Sequence, residues 1–266
     1  MSHLMKNYGR LPVSFDHGQG VWLWDKEGHK YLDALAGIAV NSVGHAHPRL
    51  VRAIADQASK LIHCSNYFNI DLQEQVAEKL VEHSGLEGVF FCNSGLEANE
   101  CAIKIARKFG HAKGIEVPNI IVLKHAFHGR SIATLSATGN PSVRADFSPY
   151  TEGFIFVDES DLDGIRKIVE ENKNVVAIFF EPILGEGGVV PIDLSVIKGI
   201  REICDEHDLL MMCDEVQCGM GRSGKWFAHQ WAEIKPDVIT MAKGLAGGVP
   251  VGAVIVSEKA NIFKPG

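Results

Sequence analysis

At 266 residues the chain is long enough to bury one large domain or two ordinary ones. Its 46% apolar and 22% charged residues are the balance of a globular chain, and a formal charge of −7 without a block of like charges argues against a nucleic-acid surface. No apolar run reaches the roughly 18 residues of a membrane helix, and Met1–Lys6 resembles neither an apolar signal segment nor an Arg- and Ser-rich transit peptide, so a cytoplasmic protein with no membrane partner is expected.

In chain order, Val21–Trp24 and His29–Leu32 flank the turn Asp25-Lys26-Glu27-Gly28 and predict a hairpin. Pro48 suits the first turn of a helix that carries Leu50, Val51, Ile54, Ala55, Ala58 and Leu61 at helical spacing. Asp71 is placed to cap a second helix, Leu72 to Glu82, closed near Gly85. An alternation then sets in. Gly88–Cys92 reads as a short buried strand and Leu96–Phe109 as a helix ended by Gly110. Asn119–Leu123 and Gly153–Val157 read as strands, and Leu162–Glu171 as a helix. Val175–Phe180 is a wholly apolar strand, Ser195–Glu206 a helix, and Leu209–Cys213 and Asp237–Met241 two more strands. Apolar strands separated by amphipathic helices predict an α/β fold with a mostly parallel sheet covered on both faces.

Six scattered cysteines, Cys64, Cys92, Cys101, Cys204, Cys213 and Cys218, form no Cys-x-x-Cys pair, so reduced thiols are expected rather than a zinc or redox motif. His45-Ala46-His47 has no nearby carboxylate or cysteine ligand in sequence, and turn and packing roles suit it better than metal binding. Gly219-Met220-Gly221-Arg222-Ser223-Gly224 matches the dinucleotide fingerprint in letters only. Asp214–Gln217 separates it from the preceding strand, and Lys225-Trp226-Phe227 is no helix start.

In such a fold, ligands sit beyond the C-terminal ends of the strands. The residues there are Asn93-Ser94-Gly95, His125 to Arg130, Glu181-Pro182, Asp214 to Gln217, and Ala242-Lys243-Gly244. The turn at Gly95 opens a helix and could offer backbone N–H groups to a phosphate, although any strand-to-helix glycine turn looks similar. Asp214, at the end of an apolar strand, is costly without a cationic or protonated partner; a helix cap or an ion pair would also serve. A desolvated Lys243 would be a nucleophile for carbonyls, whereas a surface lysine would simply snorkel into solvent. A Schiff-base lysine, an acid for a pyridinium nitrogen and a phosphate cup are the parts that pyridoxal phosphate requires together.

Several segments resemble the class III (subgroup II) aminotransferases of pyridoxal-phosphate fold type I. They are Gly37–Asn41 with Gly44-His45 and His47-Pro48, then Asn93–Glu100, Phe127-His128-Gly129-Arg130, Asp214–Gln217 and Ala242–Leu245. The resemblance implies an N-terminal segment over residues 1–60 that contributes to small-domain and dimer contacts, and a cofactor-binding large domain from 61 onward. It further implies that Lys243 joins the cofactor and shuttles protons, that Asp214 holds the ring nitrogen, and that Gln217 lies near the phenolic oxygen. Gly95 and Leu96 would hold the phosphate and Phe127 would stack on the ring, with Glu215 and Val216 also in the cofactor site. Arg130 would bind a substrate carboxylate, and Glu186 would lie on the substrate side.

The implied reaction is ping-pong amino transfer from N2-acetyl-L-ornithine to 2-oxoglutarate, in a homodimer with shared sites and without a metal. Ornithine, succinyl-diaminopimelate or 4-aminobutyrate transaminases, or an aminomutase, are the related alternatives, and an inactive cofactor-binding fragment or plain α/β binding module is the alternative of another class. Phe127-His128-Gly129-Arg130 favours the first over relatives with Tyr or Trp in that motif. Leu96 and Leu184 depart from the small residue or Thr, and the Gln, more usual in the family. Family members also run beyond Gly266, so a C-terminal domain and the arginine opposite Glu186 are expected to be missing, and turnover by this chain alone is not expected.

Overall fold

The computed structural model describes residues 3–265. The chain divides into two compact units, Met1–Tyr67 and Phe68–Gly266. The sequence-based boundary lay after residue 60; the stretch from there to Tyr67 forms neither helix nor strand.

The first unit holds a three-stranded antiparallel sheet of β1 (Phe15–Gln19), β2 (Trp22–Asp25) and β3 (Lys30–Leu32). The expected hairpin is β2–β3; β1, with its polar Asp16, His17 and Gln19, carried no apolar signal. The buried Asp25 carboxylate secures the turn by accepting from Glu27 N and His29 N and from Tyr31 Oη at 2.8 Å. A short turn, α1 (Ala36–Ala39), has left-handed φ values between 51° and 67°. Asp33 holds its start through the N–H groups of Leu35 and Ala36, and its other oxygen meets His45 Nε2 at 2.7 Å. Helix α2 (Pro48–Ala58) begins at Pro48, which has no N–H to leave unpaired there.

The second unit opens with α3 (Asp71–Ser84). Its N-cap is Ile70 rather than Asp71, which instead stands in the first turn where its charge favours the helix dipole; Gly85 closes it at φ 68°. A seven-stranded sheet follows, in the order β4-β12-β11-β10-β7-β5-β6. Its strands are β4 (Gly88–Cys92), β5 (Asn119–Leu123), β6 (Phe154–Val157), β7 (Val175–Phe180), β10 (Leu210–Asp214), β11 (Val238–Met241) and β12 (Gly252–Val256). Only β12 runs against the rest, pairing antiparallel with both β11 and β4. Strand β4 lies at an edge, so the expected burial is incomplete, and Phe90 is 51% exposed.

Helices α4 (Gly95–Ala112), α5 (Ile132–Ala137), α6 (Pro141–Arg144), α7 (Leu162–Glu171) and α8 (Leu194–Glu206) connect the strands. A small hairpin of β8 (Ile183–Leu184) and β9 (Val190–Pro191) follows β7. Three short 3₁₀ turns, η1 (Ala228–Ala232), η2 (Lys243–Leu245) and η3 (Glu258–Ala260), complete the unit. Strand β7 shows why the sheet needs two covers. Val176 and Phe179 join the core beneath α4, whereas Ile178 and Phe180 join the core beneath α7 and α8. Among the described residues no helix is long and apolar enough to cross a membrane, no group of His, Cys, Asp and Glu is arranged to hold a metal, and the six cysteines are free. Residues 219–224 form turns that open no helix.

Gly110 does not end α4. The helix runs on to Ala112, and Gly110 is where it presses on the sheet: a Cβ there would lie 2.7 Å from Pro118 Cγ and 2.8 Å from Val176 Cγ1. Gly110→Ala therefore sets about 1–3 kcal/mol of overpacking against a helix-propensity gain of about 1 kcal/mol. Urea denaturation is expected to show a net loss of stability; a gain would mean that helix and sheet can separate freely at this point.

Candidate active site

The sheet order decides which chain segments meet. Reading along the C-terminal edge from β4, the order is the Asn93–Gly95 turn, Lys243 after β11, Asp214 at the end of β10, Glu181 after β7 and Phe127 after β5. Because β12 runs the other way, its first residue, Gly252, also lies at this edge, where a Cβ would stand 2.3 Å from Ser94 O.

Asp214 is 3% exposed. An isolated buried carboxylate would be very costly, and here three donors from three elements surround it. Asn99 Nδ2 on α4 donates to Oδ2 at 2.7 Å, His128 Nδ1 donates to the same oxygen at 2.8 Å, and Val216 N donates to Oδ1 at 3.0 Å. His128 is itself fixed by stacking on Phe179, ring centroids 4.1 Å apart. A carboxylate has about four acceptor positions, and these bonds fill two on Oδ2 and one on Oδ1.

The turn before α4 is built as a cup. Ser94 Oγ caps the helix by accepting from Glu97 N at 3.2 Å, and Glu97 reaches back to Asn93 N. The N–H groups of Gly95 and Leu96, in the first turn, have no intrahelical acceptor. Gly95 must be glycine here, since a Cβ would lie 2.6 Å from Val216 Cγ1 and 3.4 Å from Ala242 Cβ. That contact joins the cup to the segments carrying Asp214 and Lys243.

Lys243 is half-buried, and its ammonium is pushed below the ordinary lysine range, chiefly by desolvation; Asp214, Glu186 and Glu181 act in the opposite sense and Arg222 in the same one. Its φ of 42° lies in the left-handed region, a cost of roughly 1–2 kcal/mol for a non-glycine residue. Strain of this kind concentrates at functional sites. Phe127 is half-buried, with the Arg130 guanidinium carbon 5.8 Å from its ring centroid. Gln217 packs against Gly185, where a Cβ would stand 2.2 Å from its Oε1. Glu186, the next residue, is exposed.

The structure thus draws Gly95, Leu96, Phe127, Asp214, Val216, Gln217 and Lys243 to one edge, with Arg130 and Glu186 at its margin. Glu215 differs. Its carboxylate accepts from Ala228 N, His229 N and His229 Nδ1 at 2.8–2.9 Å and from Cys218 Sγ at 3.3 Å, so the side chain ties β10 to η1. Successive side chains at a strand end point to opposite sides, which separates it from Asp214. Sequence reasoning gave no role to Asn99 or to Glu181. A polar residue inside the small-residue stripe Ala98, Ala102 and Ala106 of α4 was the available signal for Asn99.

Similarity to known proteins agrees with this geometry. The family model for Aminotransferase class-III matches residues 4–266. The acetylornithine aminotransferase of Nitrosomonas europaea is 54% identical over 267 residues, covering 100% of this chain and 68% of that protein. That of Synechocystis sp. is 48% identical, covering 100% of this chain and 63% of that protein. Among solved structures, the ornithine aminotransferase of Toxoplasma gondii superposes with a TM-score of 0.94 at 34% identity, over 99% of this chain and 63% of that one. The N-acetylornithine aminotransferase of Stenotrophomonas maltophilia does so at 0.83 and 39%, over 95% and 64%. The chain therefore spans about two thirds of the length of these relatives.

Asn99→Ala removes one donor from Asp214 and the 2.7 Å bond to His128 O. Urea denaturation is expected to show a loss of about 1–3 kcal/mol; an unchanged midpoint would show that Asp214 does not depend on this donor.

Proposed function

The chain belongs to the class-III aminotransferase family, and on that premise we propose that it transfers the amino group of N2-acetyl-L-ornithine to 2-oxoglutarate. The family is dependent on pyridoxal phosphate. The observation that carries the reading is the buried Asp214 carboxylate at the same sheet edge as a desolvated Lys243 and the Gly95 turn that opens α4.

The residues fit the cofactor. The N–H groups of Gly95 and Leu96 at the start of α4 would take its phosphate, aided by the helix dipole. Leu96 in place of the family's more usual small residue or Thr leaves this backbone contribution intact. Phe127 would cover the ring and Val216 would pack beneath it. Gln217 would donate to its phenolic oxygen, and Asp214 Oδ1 would accept from its protonated nitrogen. Pyridoxal phosphate, when bound, supplies a carbonyl that takes up an amino group and a ring that draws electrons from the substrate carbon.

The protein's own contributions follow from the site. Burial shifts Lys243 toward the free amine, the form that can join a carbonyl carbon and afterwards hold and return a proton at Nζ. Arg130 offers a two-pronged donor for a substrate carboxylate. Glu186 stands on the substrate side, where it can meet a cation. Asp214 would meet the ring nitrogen, since N–H donors from α4, the loop after β5 and its own following segment fix its carboxylate at the sheet edge. A homodimer with shared sites is part of this proposal. Ornithine is the second reading, favoured by the likeness to the Toxoplasma structure; the higher identity to acetylornithine enzymes favours the acetylated donor.

Borohydride reduction followed by intact-mass and peptide mapping is expected to fix the cofactor on Lys243, with no trapping in Lys243→Ala. Labelling of another lysine would remove Lys243 from its role. Assayed in the full-length protein, the donor profile is expected to favour N-acetylornithine over ornithine by at least about ten-fold in kcat/KM; the reverse order would establish the second reading.

A further inference from the structure

The strand between Asp214 and Phe127 in the sheet ends in a carboxylate to which the functional reading gives no task. Glu181 is 5% exposed. Its Oε2 accepts from Phe127 N at 2.9 Å and its Oε1 from Gly185 N at 3.1 Å. Gly185 in turn stands so close to the Gln217 amide that a Cβ would reach within 2.5 Å of Cδ. One side chain is therefore hydrogen-bonded to the two loops that carry the ring-covering aromatic and the backing of the amide.

Resting on the cofactor site described above, we propose that Glu181 is a positioning residue: its carboxylate clamps the Phe127 loop to the Gly185 turn and, through Gly185, fixes the Gln217 amide, a hold that loosens when the carboxylate takes a proton. Two backbone N–H groups favour the ionised form, because each makes its stronger bond to a charged oxygen. Burial, first, and the nearby Asp214 charge, second, favour the protonated form, against the opposing influence of His128; together they push the carboxyl up to about 7. Lys243 feels Glu181 as a favourable charge and is itself under the fields of Asp214, Glu186 and Arg222. The protonated carboxyl has one hydroxyl oxygen, a poorer acceptor, so one of the two loops loses strength of attachment.

Glu181→Gln isolates the effect, since a glutamine has one carbonyl oxygen for two N–H groups and turns its NH₂ toward the other. In the holoenzyme, wild-type cofactor affinity is expected to rise as pH is raised through about 7. In Glu181→Gln the affinity should be about ten-fold lower at alkaline pH, the equivalent of one charge-assisted hydrogen bond, and the step should be smaller by that amount. Gly185→Ala keeps the carboxyl but displaces Gln217, and is expected to weaken the cofactor while keeping the step. Hydrogen exchange at the Phe127 and Gly185 amides, corrected for intrinsic rates, is measured on the wild-type protein as purified. Their protection should fall as pH is lowered through about 7.

A flat protection profile, or a pH step in cofactor affinity undiminished in Glu181→Gln, would overturn the clamp; undiminished cofactor affinity in Gly185→Ala would overturn its Gln217 arm. The exchange measurement needs no cofactor, so a protein that never binds pyridoxal phosphate but shows the fall in protection would sink the functional reading and leave the clamp standing.

Discussion

A buried carboxylate at the end of a central strand sets the terms for the rest of this site. Asp214 cannot be accommodated there without donors, and its donors come from separate parts of the chain: Asn99 from α4, His128 from the loop after β5, and the Val216 backbone. The same bonds that lower the cost of burial therefore hold a helix, a loop and a strand end in one arrangement. Removing one partner of such a group leaves an incompletely compensated charge, so the network favours a single geometry.

The sheet makes this economical. In a parallel sheet every strand delivers its following loop to the same edge, and adjacent strands lie about 4.8 Å apart. Asp214 ends β10, and Lys243, Glu181 and Phe127 follow β11, β7 and β5, so the four belong to neighbours in sheet order. The antiparallel β12 adds a close approach instead of a loop, because Gly252 begins against Ser94 O and packs the cup against the sheet. Three glycines, Gly95, Gly185 and Gly252, occupy points where a side chain would have to overlap a neighbour.

Much of this was legible in the sequence. Strands such as Val175–Phe180 are apolar at every position, since both faces are covered, and their polar successors marked the edge. The α7 boundaries were legible as well, from a clear helical stripe, and the structure adds the Asp161 cap. Strand β12 was not, although Gly252–Val256 is wholly apolar: no helix separates it from β11, only η2 and a glycine-rich stretch, so the alternation that revealed the other strands was absent. Gly110 illustrates the opposite error, a local helix-ending signal overridden by tertiary packing against Pro118 and Val176. Glu215 sits beside Asp214 in sequence but serves η1, because neighbouring residues at a strand end face opposite ways. Asn99 and Glu181 act through partners 115 and 54 positions away, distances at which sequence spacing carries no information.

The central claim is that Asp214 presents its remaining acceptor to a protonated ring nitrogen. The direct measurement is ¹⁵N NMR of the protein loaded with pyridoxal phosphate labelled at that nitrogen. The expected result is a protonated-nitrogen shift in the wild type at neutral and mildly alkaline pH, lost in Asp214→Ala. An unprotonated nitrogen in the wild type at neutral pH, or a protonated one that persists in Asp214→Ala, would contradict it.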